Sequence, residues 1–416
     1  MSSAAKFRSW FWAIALLAMA VGNLFTLWES RFAMEKGYFD FANFYTAGTL
    51  AHRGEGAEIY DRDAQWRVQQ EFSSEVTTRR APMRFLRPPF EALLFSAIAI
   101  WPYPKALLVW TCFKLTLLFA IPFVVVRGRP WREDFPIWLT SFLVLGTFSG
   151  FMDLLLGQDA ILLAFLFAVA FWQLDTARDT GAGVTLGLAL FKFQLVLPFV
   201  IALWIAGRKR TFPGFAISAL VMFALSAVVV GWRGLVRYPG YLLALNRSTG
   251  VGIFPQLQMN LRGLLTLFVG RAPYPGRIHW MLPPAAIAAV IYSGILWRKA
   301  GNHFLAEGFG LAAIVGIVTS YYAYSYDLLL LIVPLLAMRS RPNDSPREDR
   351  WTRVLEMAGL LPLLLTPTYW FSKELHNQCI MTIPLLVLAV VLARRLRLAG
   401  VETSAERRRS MQDGPG

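Results

Sequence analysis

The sequence predicts an all-α polytopic integral membrane protein, a multi-span bundle of about 10 to 12 transmembrane helices with both ends cytoplasmic. Three observations carry this. Hydrophobic residues make up 56% of the 416 residues and charged ones only 16%, against about 25% charged in soluble domains. Apolar runs of roughly 17 to 25 residues recur along the chain, the length a helix rising about 1.5 Å per residue needs to cross a ~30 Å hydrocarbon layer. Strand-like alternation is absent, so the spans are helices and not a barrel. The basic excess, 41 Lys and Arg against 26 Asp and Glu for a formal charge of +15, is gathered at the ends of apolar runs. The clusters are Arg208, Lys209 and Arg210; Arg298 and Lys299; Arg339 and Arg341; and Arg394, Arg395 and Arg397. This is the distribution of cytoplasmic loops under the positive-inside rule, not a nucleic-acid surface.

The first span, 10–28, follows Lys6 and Arg8. Its Ala18-Met19-Ala20 resembles a signal-peptide cleavage site, but the run continues to Trp28, long enough to remain as an anchor. Residues 29–87 then form a first outer loop, with patterns such as "AQWRVQQEF" suited to surface helices. Apolar runs follow at 88–102, 105–126, 136–153, 159–175, 182–206 and 211–231; a second outer loop occupies 232–280. Spans at 281–298, 304–320, 326–338, 352–370 and 378–396 complete a single membrane domain, 1–401, and the charged tail 402–416 reads as disordered and cytoplasmic. With Arg208 to Arg210 inside, every later basic cluster falls inside. Simple alternation, however, puts the three arginines of "RGRPWRED" outside. Either the rule is broken there, or 88–102 is re-entrant and 182–206 folds back on itself. Cys112 and Cys379 lie in apolar runs and read as packing residues, and no internal repeat or soluble domain is visible.

Several polar residues stand out against this background. Asp40, in "FDFANFYTAG", sits among aromatics just past the first span. It reads either as a general base with basicity raised by partial desolvation, or as the cap of a surface helix. Arg84 and Arg87, in "RFLRPPFEALLF", fit phosphate recognition or snorkelling to headgroups. Lys192 and Gln194 lie deep in the 182–206 run, where a charge costs on the order of 3 kcal/mol and calls for a polar partner. Asp327, in "YYAYSYDLLLLIVP", makes the same argument beside a ladder of tyrosines. Asp153 and Gln158, in "FMDLLLGQDA", are a weaker version that could mark a turn. Asp61 and Asp63 form a "DRD" that suits a hard cation or plain solvation. The four histidines lack ligand spacing, and neither a phosphate loop nor a serine elbow is present; no metal or cofactor is expected.

"DFANFYTAGTLAHRGEGAEIYD", "RPPFEALLFSAIAIWPYPKALLVW", "GQDAILL", "LGLALFKFQLVLP", "QMNLRGLL" and "YYAYSYDLLLLIVPLL" occur in that order over about 10–340. In this order and spacing the chain resembles glycosyltransferase family 87, the polyprenol-phosphate-mannose-dependent mannosyltransferase relatives of the GT-C superfamily. The resemblance implies a GT-C-like helical fold with an essential Asp in its first outer loop, matched by Asp40. It implies transfer of a hexose, mannose foremost, with inversion, from a polyprenyl-phosphate donor to a lipid or glycan acceptor outside the cell membrane. One departure is visible: the family often has Lys-Pro-Gln where this chain has Lys192-Phe193-Gln194. On this reading Asp40 is the catalytic base; Arg87, Lys192, Gln194 and Arg262 meet the donor phosphate; and Tyr45, Gln158, Asn260, Tyr326 and Asp327 line the sugar or acceptor pocket. The absence of a nucleotide-binding domain fits a lipid-borne donor. A transporter or lipid flippase, and a polymer ligase using a lipid-linked donor, are the rival readings.

Overall fold

A computed structural model describes residues 3–76, 81–129, 131, 136–247, 254–269, 276–340, 354, 358–363 and 377–412, and among them every regular element is a helix. Helix α1 (Ser3–Glu35) exposes Phe11, Ile14, Val21, Phe25, Trp28 and Phe32, an apolar surface that only hydrocarbon suits. Gly37, at φ 80°, ends it in the left-handed conformation, and the Tyr38 N–H returns to the Ala33 carbonyl at 3.1 Å. The chain thereby turns sharply, and Asp40 emerges within one turn of the helix end.

Helices α2 (Phe41–His52), α3 (Arg62–Ser73) and α4 (Glu91–Ser96) form a small layer against the start of α5 (Tyr103–Val125). Its core is aromatic: Phe44 stacks on Phe95 with centroids 4.8 Å apart, and Phe72 stacks on Tyr103 at 4.4 Å. Gly48 lets α2 meet α4 directly, since a Cβ there would lie 2.5 Å from the Phe95 carbonyl carbon. The 88–102 run is therefore a six-residue helix and turns held against α2, not a crossing.

Helices α6 (Ile137–Leu145) and α7 (Phe148–Leu156) form one path bent by 67°. The 16-residue α8 (Ala160–Asp175) follows. After it come α9 (Asp179–Leu188), a 3-10 turn (Ala189–Lys192) and α10 (Phe193–Ile205). A straight helix over these residues would be about 40 Å long. Instead Arg208, just past α10, donates to the Asp179 carboxylate at 3.0 Å and to the Leu174 carbonyl at 3.3 Å. The segment folds back: both feet stand at the lower end of α8, and Lys192 is at the tip.

Helix α11 (Thr211–Arg247) runs beside α9 in the same direction, Thr180 meeting Gly214 and Gly187 meeting Ser218. It breaks at Gly231 (φ 68°, ψ 166°), and its continuation donates the Tyr238 and Tyr241 hydroxyls to the Leu86 and Phe85 carbonyls. The start of the expected 232–280 loop is thus helix laid over the α2–α4 layer. Helices α12 (Leu261–Val269), α13 (Gly276–Ala300) and α14 (Leu305–Thr319), a 3-10 segment (Ser325–Leu331), α15 (Ile332–Arg339) and α16 (Thr382–Gln412) complete the described chain. The stretch from 402, expected to be disordered, continues α16 to Gln412, as its Ala, Glu and Arg content favours.

The basic clusters gather at one end of the molecule. Arg129 pairs with Asp175 (2.5 Å) and donates to the Ala337 carbonyl (3.3 Å); Arg395 approaches the Met338 sulfur (3.9 Å). Lys299 packs beside Gly400. "RGRPWRED" therefore begins on the same end as Arg208, and the topological conflict resolves through the short 88–102 segment and the folded-back 179–205 hairpin. Among the described residues seven helices are long and apolar enough to span, or eight with the bent pair, and the hairpin is one of the seven. Most of the 352–370 span lies outside the described residues.

A Cβ at Gly183 would sit 1.9 Å from the Thr211 carbonyl oxygen, so Gly183→Val should force α9 from α11 and cost about 1–3 kcal/mol or more. In thermal unfolding of the detergent-solubilised protein we expect a lowered midpoint. Gly22→Ala, with nothing within 4 Å of the added carbon, should leave it unchanged.

Candidate active site

Asp40 immediately precedes α2, yet its side chain makes no capping hydrogen bond. Its Oδ2 instead accepts from the Gln158 amide at 2.6 Å. Gln158 Oε1 accepts in turn from Arg87 Nη2 at 3.2 Å, and the same nitrogen donates to Asp159 Oδ1 at 3.0 Å. That oxygen also meets Lys192 Nζ at 2.8 Å, and Lys192 reaches Asp327 Oδ1 at 2.5 Å. A continuous chain thus joins half-buried Asp40 to three fully buried charges, Asp159, Lys192 and Asp327.

Each member is delivered by a break in regular structure. Gly157, at φ 69°, closes α7 and frees Gln158 and Asp159 in the turn before α8. Lys192 has φ −113° and ψ 54°, so the helix breaks there although Phe193 stands where the family often has Pro. Asp327 enters the 3-10 segment, its Oδ2 accepting the Tyr324 N–H at 2.9 Å, with the Tyr326 ring 4.8 Å from Lys192 Nζ. Such breaks are tolerated at membrane depth where the freed groups line a polar interior.

A second buried pair supports the first. Lys114 Nζ contacts Asp153 Oδ2 at 2.8 Å, while Asp153 Oδ1 accepts the Ala160 N–H at 2.8 Å. Asp153 is therefore the anchor of the α8 start, and so of Asp159, more than a turn marker. Glu91 lies 3.9 Å from Arg87 and beside Asp159. Burial, then the Asp159 charge, pushes the Glu91 carboxyl well above the usual carboxylate range. Asp159 instead pairs with both Arg87 and Lys192. Glu91 is accordingly the protonated partner and Asp159 the ion.

The structure thus brings together Asp40, Gln158, Arg87, Lys192, Tyr326 and Asp327. Gln194 begins α10 half-buried, its amide making no hydrogen bond to the described residues. Tyr45 lies in the aromatic layer with its hydroxyl on the Trp101 carbonyl (2.8 Å). Phe41 and Phe44 also turn into that layer, supporting Asp40 from behind without forming a pocket wall. Asn260 caps α12, accepting the Gly263 N–H at 2.7 Å and donating to the Ser320 carbonyl at 3.0 Å. Arg262 stacks over Tyr321 at 4.0 Å, and Arg84 lies 6.0 Å from the Tyr241 ring. Asp61 caps α3 through the Asp63 and Ala64 N–H groups. Among the described residues no cluster of three His, Cys, Asp or Glu side chains is arranged for a metal ion. Sequence reasoning missed Asp159, Glu91 and Lys114. Each is a charge in or beside an apolar run, the signal that had flagged Lys192.

The model of glycosyltransferase family 87 matches residues 85–334, which carry Arg87, Glu91, Gln158, Asp159, Lys192 and Asp327. The chain belongs to glycosyltransferase family 87. As a family 87 member it is a membrane glycosyltransferase, and the match covers most of the helical body. No curated protein and no solved structure matches the chain.

Because Glu91 is held neutral, Glu91→Gln should preserve the fold. Asp159→Asn should strand Arg87 and Lys192 and cost about 3–5 kcal/mol. With its folded value raised, Glu91 stabilises most fully below its unfolded value of about 4.3, and that stabilisation is lost as pH rises through the folded value. Thermal midpoints measured against pH should therefore show a decline in wild type on going alkaline that Glu91→Gln lacks.

Proposed function

We propose that this family 87 protein is an inverting hexosyltransferase, moving mannose or a related hexose from a polyprenyl-phosphate donor to a lipid or glycan acceptor on the extracytoplasmic face of the cell membrane. The observation that carries the reading is the Asp40 carboxylate. It leaves its helix uncapped and stands half-buried at the open end of a buried chain of charges. A surface cap would need neither Gln158 nor the ions behind it.

In the reaction, Asp40 takes the proton of the acceptor hydroxyl as that oxygen attacks the anomeric carbon; the bond from that carbon to the phosphate oxygen breaks, and polyprenyl phosphate leaves with the electron pair. A phosphate leaving group needs positive charge more than a proton. Arg87 supplies it: its Nη2 is committed to Gln158 and Asp159, while Nη1 makes no hydrogen bond to the described residues and suits a phosphate oxygen. Lys192 adds its charge from the hairpin tip. Asp159 and Asp327 are already paired with cations, which favours a single displacement over a glycosyl-enzyme route. What supports the outer placement is that the basic clusters, which favour the cytoplasmic side, lie at the end opposite Asp40. A lipid-borne donor suits that outer side, where the acceptor and membrane lipids are its other partners.

Membranes containing the protein should transfer label from radiolabelled polyprenyl-phosphate mannose to an endogenous acceptor. Asp40→Asn should lower the rate by roughly 100- to 10,000-fold with the protein still folded. Wild-type rates in that variant would remove Asp40 from the chemistry. Failure of every polyprenyl-phosphate sugar, with solute movement across a reconstituted bilayer, would favour a transporter.

A further inference from the structure

The Gln158 side chain occupies an unusual place in the site. It is buried at 4% exposure, and its amide is used at both ends: Nε2 donates to Asp40 Oδ2 and Oε1 accepts from Arg87 Nη2. The Arg87 bond fixes which end of the amide faces Asp40, because a guanidinium can only donate. A flipped amide would set its NH2 against Arg87 and its oxygen against the carboxylate. Arg87 is in turn held by Asp159 Oδ1, which Lys192 also contacts. The orientation at Asp40 is therefore imposed by the buried ion pairs behind it.

We propose that Gln158 is a positioning residue for Asp40, holding its carboxylate ionised and aimed through one donated hydrogen bond whose direction Arg87 and Asp159 enforce. This rests on the general-base reading for its catalytic consequence, but its physical content does not. A hydrogen bond from a polarised amide favours the charged carboxylate and fixes the direction of Oδ2. Among the described residues Tyr324 and Tyr326, from the segment leading into and forming the 3-10 turn, also face Asp40, with Arg87 behind the amide. A phenol carries no positive charge, so neither supplies the charge that Gln158 conveys.

The deciding experiment is a pH titration of the reconstituted full-length protein by difference infrared spectroscopy, with Asp40→Asn identifying the Asp40 carboxyl band. In Gln158→Met, of similar length and without a donor, the Asp40 midpoint should move up by about one pH unit. In transfer assays with radiolabelled polyprenyl-phosphate mannose, the acid limb should move by the same amount. The turnover rate should fall roughly 10- to 100-fold with donor KM within about threefold. Gln158→Glu is the second variant should Met disturb the fold. It can donate only while protonated, so its activity should be greatest at acid pH and fall as pH rises. An unshifted Asp40 band in a folded Gln158→Met protein, or a Gln158→Glu profile matching wild type, overturns the inference. A shifted band together with full transfer by Asp40→Asn would instead uphold the positioning bond and overturn the general-base reading, so the two failures are distinct.

Discussion

One carboxylate oxygen ties the site together. Asp159 Oδ1 accepts from Arg87 at 3.0 Å and from Lys192 at 2.8 Å, joining the approach to α4, the α7–α8 turn and the α9–α10 tip, segments more than 70 residues apart at the ends. Taking such ions out of water costs several kcal/mol each, and their attraction offsets this only when geometry and further hydrogen bonds are good. Here Asp327 shares Lys192, Gln158 shares Arg87, and Glu91 stays neutral beside Asp159. The charges are tolerated as a set, so losing one member affects all of them.

The surroundings serve that set from two sides. Below it, Asp153 locks the first turn of α8 to Lys114, so the turn carrying Gln158 and Asp159 has a fixed floor. Above it, the aromatic layer of Phe41, Phe44, Phe95 and Tyr103 clamps the start of α2 and thereby the backbone of Asp40. Stacked rings lose little side-chain freedom on burial and resist shear, which suits a surface layer without a large core of its own. The half-buried carboxylate is thus held by a rigid apolar wall on one side and by the Gln158 amide on the other.

Much of this was legible in the sequence, for physical reasons that also explain what was not. Composition and run length announce a helical membrane protein because hydrocarbon admits little else. Lys192 and Asp327 announced themselves because an isolated charge in an apolar run needs a partner. Which partner could not be read, since Lys192 and Asp327 meet across 135 positions and Asp159 enters between them. Asp40 remained ambiguous between cap and base, because both roles call for an Asp before a helix; only the direction of its side chain separates them. Hydropathy counts apolar length and carries no sense of direction; it was the misplaced arginines of "RGRPWRED" that pointed to a re-entrant 88–102 and a folded-back 182–206.

The hairpin has a further consequence for how the chain settles in a bilayer. With both feet at the basic end, joined by Arg208 and Asp179, it contributes nothing to the parity of the topology. Helices upstream and downstream keep their handedness relative to the membrane whether or not its tip has reached final depth.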